Sequence, residues 1–107
     1  PLLVFNRGGN RNFGYFTVCS IRMMEHFAHS LDSPIVVTAQ LRGSHGSEGQ
    51  DEFGGKDVDD IKNLILWADS QSYVDKNQKY LVGWSRGGMM AYLLLKEQLD
   101  FKAAAVI

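Results

Sequence analysis

The sequence has little of several features that mark particular classes of protein. A single cysteine, Cys19, excludes an internal disulfide and fits a reducing compartment such as the cytoplasm. No run of 18 apolar residues occurs and the first residues lack the pattern of a signal peptide, so we expect no membrane association. The formal net charge of -1 gives no electrostatic reason to expect a nucleic acid partner.

What is present is the composition of a globular domain. The length of 107 residues, with 45% hydrophobic and 21% charged residues, predicts one domain over residues 1–107. The sequence begins at Pro1 in an apolar run and stops within a second one, 103–107. Because domains seldom start and finish inside core elements, we expect an incomplete domain from a longer protein.

Apolar segments of two kinds alternate along the chain. Short runs rich in aliphatic residues predict strands at Leu2–Phe5, Ile35–Ala39, Tyr80–Trp84 and Phe101–Ile107. Longer segments with apolar residues three and four apart predict helices at Thr17–Leu31, Asp57–Ser70 and Arg86 to about Leu99. This alternation predicts an α/β fold of about four parallel strands joined by crossover helices, in three layers.

Two of the predicted helices differ in how much surface they should bury. In the first, the apolar stripe consists of Val18, Ile21, Met24, Phe27, Ala28 and Leu31. This spacing predicts an amphipathic helix that ends at the break 32–34. The helix that starts at Arg86 is apolar around most of its circumference, which predicts that it is mostly buried.

The segment between the third strand and the third helix carries the clearest chemical motif. Gly83, Ser85 and Gly87 form the pattern G-x-S-x-G, which between a strand and a helix is typical of a nucleophile elbow. The glycines let the two backbones approach closely. Ser85 would be the nucleophile, and the N–H of Arg86 would face the oxyanion that forms on the substrate.

A second glycine-bearing loop follows the first strand. Residues 6–10, Asn-Arg-Gly-Gly-Asn, stand where the other oxyanion donor normally lies, so Arg7 and Gly8 are candidates for that role. A plain turn at the end of the strand is the alternative. Loops at the carboxyl ends of neighbouring parallel strands converge on one edge of the sheet, where α/β proteins bind ligands.

Three motifs together resemble the catalytic domain of the prolyl oligopeptidase family of serine peptidases, which has the α/β-hydrolase fold. They are PLLVFNRGGN, LRGSHGSEGQDEFGGKDVDDI and VGWSRGGMMAYLLL, and they occur in the order that the family has. The resemblance implies that Ser85 is the nucleophile and that the Arg86 N–H is an oxyanion donor. Arg7 departs from the family pattern, in which His or Tyr is common at this position.

The resemblance also implies an acid and then a histidine after the nucleophile, which we expect beyond residue 107. Asp100 is the one acidic residue after the third helix, and no histidine follows Ser85. His26 and His29 are three apart on the first helix, where a solvated face is a better interpretation than a metal pair. His45 lies in the glycine-rich loop, where it could line a substrate site but is more typical of exposed loop.

Other motifs give no prediction of a cofactor or metal. Gly55-Lys56 lacks the first glycine and the Ser or Thr of a phosphate-binding loop. The acidic residues of the glycine-rich loop and second helix could attract a cation, but they are more typical of a solvated loop and helix start. These residues are Asp51, Glu52, Asp57, Asp59 and Asp60.

The sequence therefore predicts part of a serine hydrolase that cleaves peptide bonds through an acyl-enzyme on Ser85. An esterase or dienelactone-hydrolase-like enzyme, acting on an ester, is the enzyme alternative. A non-catalytic module that associates with itself through exposed sheet edges is the alternative from another class. We expect the isolated 107-residue chain to be inactive, because it holds no evident base for Ser85.

Overall fold

A computed structural model describes residues 1–32 and 34–107. Strands and helices alternate from one end to the other. The strands are β1 (Leu2–Asn6), β2 (Ile35–Val37), β3 (Lys79–Gly83) and β4 (Ala103–Val106). The helices are α1 (Val18–Ser30), α2 (Lys56–Asp69) and α3 (Arg86–Leu95). The predicted break after α1 includes Ser33, which lies outside the described residues.

The four strands form one parallel sheet in the order β2-β1-β3-β4. This confirms the predicted α/β fold with crossover helices. The register of the central pair runs from Leu2 beside Lys79 to Asn6 beside Gly83. The loops that follow β1 and β3 therefore leave the sheet side by side at its carboxyl edge.

The main core lies between the sheet and the pair α2 and α3. Successive strand residues face opposite sides of a sheet, so Leu2 and Val4 lie on this face while Leu3 and Phe5 lie on the other. The buried cluster comprises Leu2, Val4, Val37, Leu41, Val58, Ile61, Ile65, Ala68, Leu81, Met90, Ala91 and Leu94. Burial of these side chains is the principal force that holds α2 and α3 on the sheet.

The opposite face of the sheet is covered by α1, which makes the fold three-layered. The ring of Phe5 lies 5.9 Å from that of Phe27 on α1. Met24 is the buried residue of α1, whereas Val18 and Ile21 are exposed. The predicted stripe is therefore wrong at these two positions and at Leu31, which is also exposed, because packing on the sheet turns the face with Met24 and Phe27 inward.

Most element ends differ from the prediction by one or two residues, and the end of α3 differs by about four. β2 stops at Val37, and the Thr38 hydroxyl donates to the carbonyl oxygen of Phe5 at 2.7 Å. Helix α3 stops at Leu95, because tighter hydrogen bonds from the N–H groups of residues 96 and 97 to carbonyls three residues back close its last turn. Gln98 then takes a positive φ of 55°, which a helix cannot accommodate.

The outer surface of α3 is less buried than its composition predicts. Met90, Ala91 and Leu94 are fully buried, but Tyr92 is 62% exposed. A helix on the face of a sheet buries only the side that contacts the sheet and its neighbouring helix. Among the helices described, none is long and apolar enough to cross a membrane.

Candidate active site

Ser85 occupies a backbone conformation that serine rarely adopts. Its φ of 54° and ψ of -117° lie outside the regions open to residues with a Cβ atom, so the turn between β3 and α3 is strained. A serine immediately before a helix usually caps it with its side chain, but Ser85 makes no capping hydrogen bond. The residue is exposed and lies at the carboxyl edge of the sheet.

Glycines on both sides of Ser85 allow this turn to form. A Cβ atom at Gly87 would collide with the carbonyl oxygen of Asn6, and one at Gly83 would collide with the carbonyl oxygen of Gly87. The backbones of β1, β3 and α3 therefore approach each other more closely than side chains permit. The N–H of Ser85 donates to the carbonyl oxygen of Ile107 at 2.6 Å, which ties the turn to the end of β4.

The loop after β1 contacts Ser85 directly. A Cβ atom placed at Gly8 would lie 3.1 Å from the Cβ of Ser85 and 2.9 Å from Cδ1 of Trp84. The structure thus brings together Gly8, Ser85 and the first residue of α3, Arg86. The N–H of Arg86 belongs to the first turn of the helix, where N–H groups have no partner within the helix.

The side chain of Arg7 is buried and engaged with its own loop. Its guanidinium donates to the carbonyl oxygens of Gly8 at 2.9 Å and Phe13 at 3.1 Å, and to the hydroxyl of Ser44. Burial lowers the pKa of Arg7, and the nearby charge of Arg86 lowers it further. The guanidinium therefore holds the loop in shape, and it is the Arg7 backbone that adjoins the Ser85 turn.

The side chain of Arg86 points away from Ser85 into a buried charged cluster. Its guanidinium makes two hydrogen bonds to Asp51, of 2.6 and 2.7 Å, and a third to Asp57. The side chains of Arg86, Asp51 and Asp57 are at most 5% exposed. The ring of Phe53 lies 4.6 Å from the guanidinium carbon and covers it from one side.

The sequence predicts that Asp51 and Asp57 are solvated, and this prediction is wrong because both carboxylates are buried. Burial on its own raises the pKa of Asp51. Hydrogen bonds from Arg86 and from the N–H groups of Arg11 and Phe53, together with the Arg86 charge, outweigh burial and hold the pKa below its ordinary value. A local sequence pattern could not reveal the pair, because Arg86 is 35 residues from Asp51 along the chain.

A cleft of about 510 Å3 opens beside Ser85. Its walls are mostly apolar and aromatic, with side chains from β1, the loop after it, α1 and the end of β4. They include Phe5, Phe13, Phe16, Met23, Phe27, Trp84 and Ile107. Within the part of the chain that the structure describes, its lining includes no histidine and no carboxylate.

The lining of this cleft includes neither Asp100 nor any of the three histidines. His26 and His29 are exposed on α1, and the described residues include no group of three potential metal ligands. His45 is exposed, with its ring 5.1 Å from that of Tyr15. Asp100 precedes β4, so it lies at the amino edge of the sheet, opposite Ser85.

The single parallel sheet with its crossover helices is consistent with the family whose model matches the sequence. The model of the prolyl oligopeptidase family matches residues 25–107, and the chain belongs to this family of peptidases. A relative is the uncharacterised peptidase YtmA of Bacillus subtilis (strain 168), which is 32% identical over 59 residues. The match covers 55% of this chain and 23% of that protein. The matched part of the chain thus spans about a quarter of the length of this relative.

Proposed function

We propose that Ser85 is the nucleophile of a serine peptidase and that G-x-S-x-G forms a nucleophile elbow. The observation that carries this proposal is the strained backbone of Ser85, an exposed residue whose hydroxyl makes no capping hydrogen bond to α3. A purely structural turn would favour glycine at this φ, whereas a nucleophile requires the side chain. Family membership supports hydrolase chemistry in general.

In the proposed mechanism, Oγ of Ser85 attacks the carbonyl carbon of the substrate while a general base takes its proton. The carbonyl oxygen becomes an oxyanion that accepts hydrogen bonds from the N–H of Arg86 and from a backbone N–H of Arg7 or Gly8. The intermediate collapses to an acyl-enzyme as the leaving group takes a proton, and water then releases the acid and restores Ser85. The Arg7 guanidinium takes no part, because carbonyls of its own loop occupy it.

The base and its acid partner are proposed to come from residues beyond Ile107. The lining of the cleft includes no histidine among the residues that the structure describes, which supports this proposal. A serine without its partners retains only residual catalysis. The isolated chain should therefore turn over substrate far more slowly than the full-length protein.

The proposed substrate is a peptide, because the chain belongs to a peptidase family and the relative YtmA is named as a peptidase. An ester substrate, cleaved by an esterase or dienelactone-hydrolase-like enzyme, requires the same elbow. Comparing kcat/KM for matched peptide and ester substrates separates the two. An enzyme that hydrolyses esters and leaves every peptide intact would contradict the peptidase assignment.

A fluorophosphonate probe tests the nucleophile itself. The probe should label the full-length protein and should fail to label the Ser85→Ala variant. Ser70→Ala is a matched control, because Ser70 is also exposed and follows a helix with ordinary backbone angles. Labelling that survives Ser85→Ala would sink the assignment.

Self-association is a second proposal, for the isolated chain. β4 forms one edge of the sheet, and all four of its residues are exposed. Three alanines and a valine offer no charge to prevent pairing with another strand. We therefore propose that the isolated chain associates through this edge.

A further inference from the structure

The proposed mechanism uses the backbone of Arg86 and leaves its side chain without a role. That side chain is 2% exposed, and its charge is balanced by carboxylates from two other segments. Asp51 belongs to the glycine-rich loop after β2, and Asp57 lies in the first turn of α2. The cluster therefore joins α3 to segments that are distant in the sequence.

Stability alone is a weak explanation for such a cluster. Burying charged groups costs solvation free energy, and well-packed apolar residues of similar volume often stabilise a fold equally well. A guanidinium that binds a carboxylate through two parallel hydrogen bonds does something an apolar contact cannot, since it fixes both distance and orientation. The cluster is better suited to holding a geometry than to adding stability.

The charged cluster connects the two segments that carry the proposed oxyanion donors, the start of α3 and the loop after β1. Besides its bond to Asp51, Nη1 of Arg86 donates to the carbonyl oxygen of Gly9 at 3.2 Å. Asp51 in turn accepts the N–H of Arg11 at 2.7 Å, so two bonds connect the cluster to the loop after β1. Gly8 of that loop lies close to Ser85, since a Cβ atom at Gly8 would be 3.1 Å from the Cβ of Ser85.

We propose that the side chain of Arg86 is a positioning residue, which Asp51 and Asp57 hold so that the backbone N–H of Arg86 and the Gly8 loop keep the spacing an oxyanion requires. This inference rests on the proposed function of Ser85. The side chain touches neither substrate nor Ser85 in this role. It acts through the backbone positions of residues 8, 9 and 86.

The test measures how fast Ser85 reacts, separately from how many molecules are folded. The full-length protein is treated with saturating fluorophosphonate probe. The first-order rate constant then reports the reactivity of each competent site, and the final amplitude reports the competent fraction. A role limited to stability would change the amplitude and leave the rate constant unaltered.

Arg86→Lys keeps the positive charge and loses the two parallel bonds. We expect it to lower the rate constant about tenfold or more, as small misplacements of reacting groups do, with the apparent affinity for the probe unchanged. Arg42→Lys is the matched control, because Arg42 makes the same kind of paired contact to Asp60, at 2.6 Å for both bonds, without reaching the Ser85 turn. It should leave the rate constant unchanged.

Asp51→Asn provides a second variant, since it preserves the volume and one acceptor oxygen and removes the charge. It should also slow labelling, and it decides the question if Arg86→Lys fails to fold. An unchanged rate constant in either folded variant, or an equal loss in Arg42→Lys, would overturn the positioning role. If the parent protein is not labelled at Ser85 at all, the proposed function fails instead.

Discussion

The strain at Ser85 makes an unusual prediction about stability. Replacing an exposed residue by glycine normally destabilises a protein relative to alanine, by about 0.5–1 kcal/mol, because glycine has more conformational freedom in the unfolded chain. At Ser85 the sign should reverse. The φ of 54° with ψ of -117° is costly for alanine and open to glycine.

The size of the effect follows from two opposing contributions. A residue held in a sparsely populated region of backbone angles costs about 1–3 kcal/mol. Subtracting the entropic cost of glycine leaves Ser85→Gly more stable than Ser85→Ala by about 1 kcal/mol. For an m value of about 2 kcal/mol/M, the midpoint of urea unfolding rises by about 0.5 M.

The assay is urea unfolding of the two variants in the same full-length protein, followed by circular dichroism. Both variants lack the hydroxyl, so neither should react with a serine probe and activity cannot account for the difference. Ser70→Ala and Ser70→Gly form the control pair, since Ser70 has an ordinary φ of -81° and alanine should be the more stable there. If Ser85→Gly is less stable than Ser85→Ala by the same amount as in the control pair, the strain argument is refuted.

Three further predictions concern the close backbone packing at Gly87, the stability of the fold in acid and the self-association of the isolated chain. Gly87→Ala should destabilise the domain by about 3 kcal/mol in urea unfolding, because the methyl group of the alanine would collide with the carbonyl oxygen of Asn6. A loss of stability below about 0.5 kcal/mol would contradict this. Because the folded pKa of Asp51 lies below its ordinary value of 3.8, its carboxylate stabilises the fold above that pH, and this contribution is lost as the pH falls through the lower value. Asp51→Asn should therefore weaken the dependence of stability on pH in acid titrations, and an unaltered dependence would argue against the ion pair. The isolated chain should self-associate, as measured by light scattering. Ala104→Lys on the exposed edge strand β4 should reduce this association, whereas Leu66→Lys on the exposed surface of α2 should not. A monomer at high concentration would count against pairing through the sheet edge.

Local patterns in the sequence were sufficient to predict the order and type of the elements. The periodicity of apolar residues indicates strands and helices over short windows, and the glycines around Ser85 indicate a close approach of backbones. All seven predicted elements occur, with shifts at their ends. The ends shifted where one hydrogen bond or one unusual φ decided them, as at Thr38 and Gln98.

The buried face of α1 could not be predicted in the same way. Val18 and Ile21 continue an apolar stripe in the sequence, yet both are exposed. Which side of an amphipathic helix faces inward depends on the strand residues that it meets, here Phe5 against Phe27. That contact exists only after the sheet has formed.

The sequence by itself determined that a serine stands between a strand and a helix with glycines on either side. Only the tertiary structure decided what surrounds that serine. Gly8 reaches Ser85 because β1 and β3 are neighbours in the sheet, and Arg86 finds Asp51 and Asp57 because the crossovers bring their loops to the same edge. Periodicity and turn chemistry act over a few residues, whereas charge pairing and close backbone approach depend on distances that the whole fold sets.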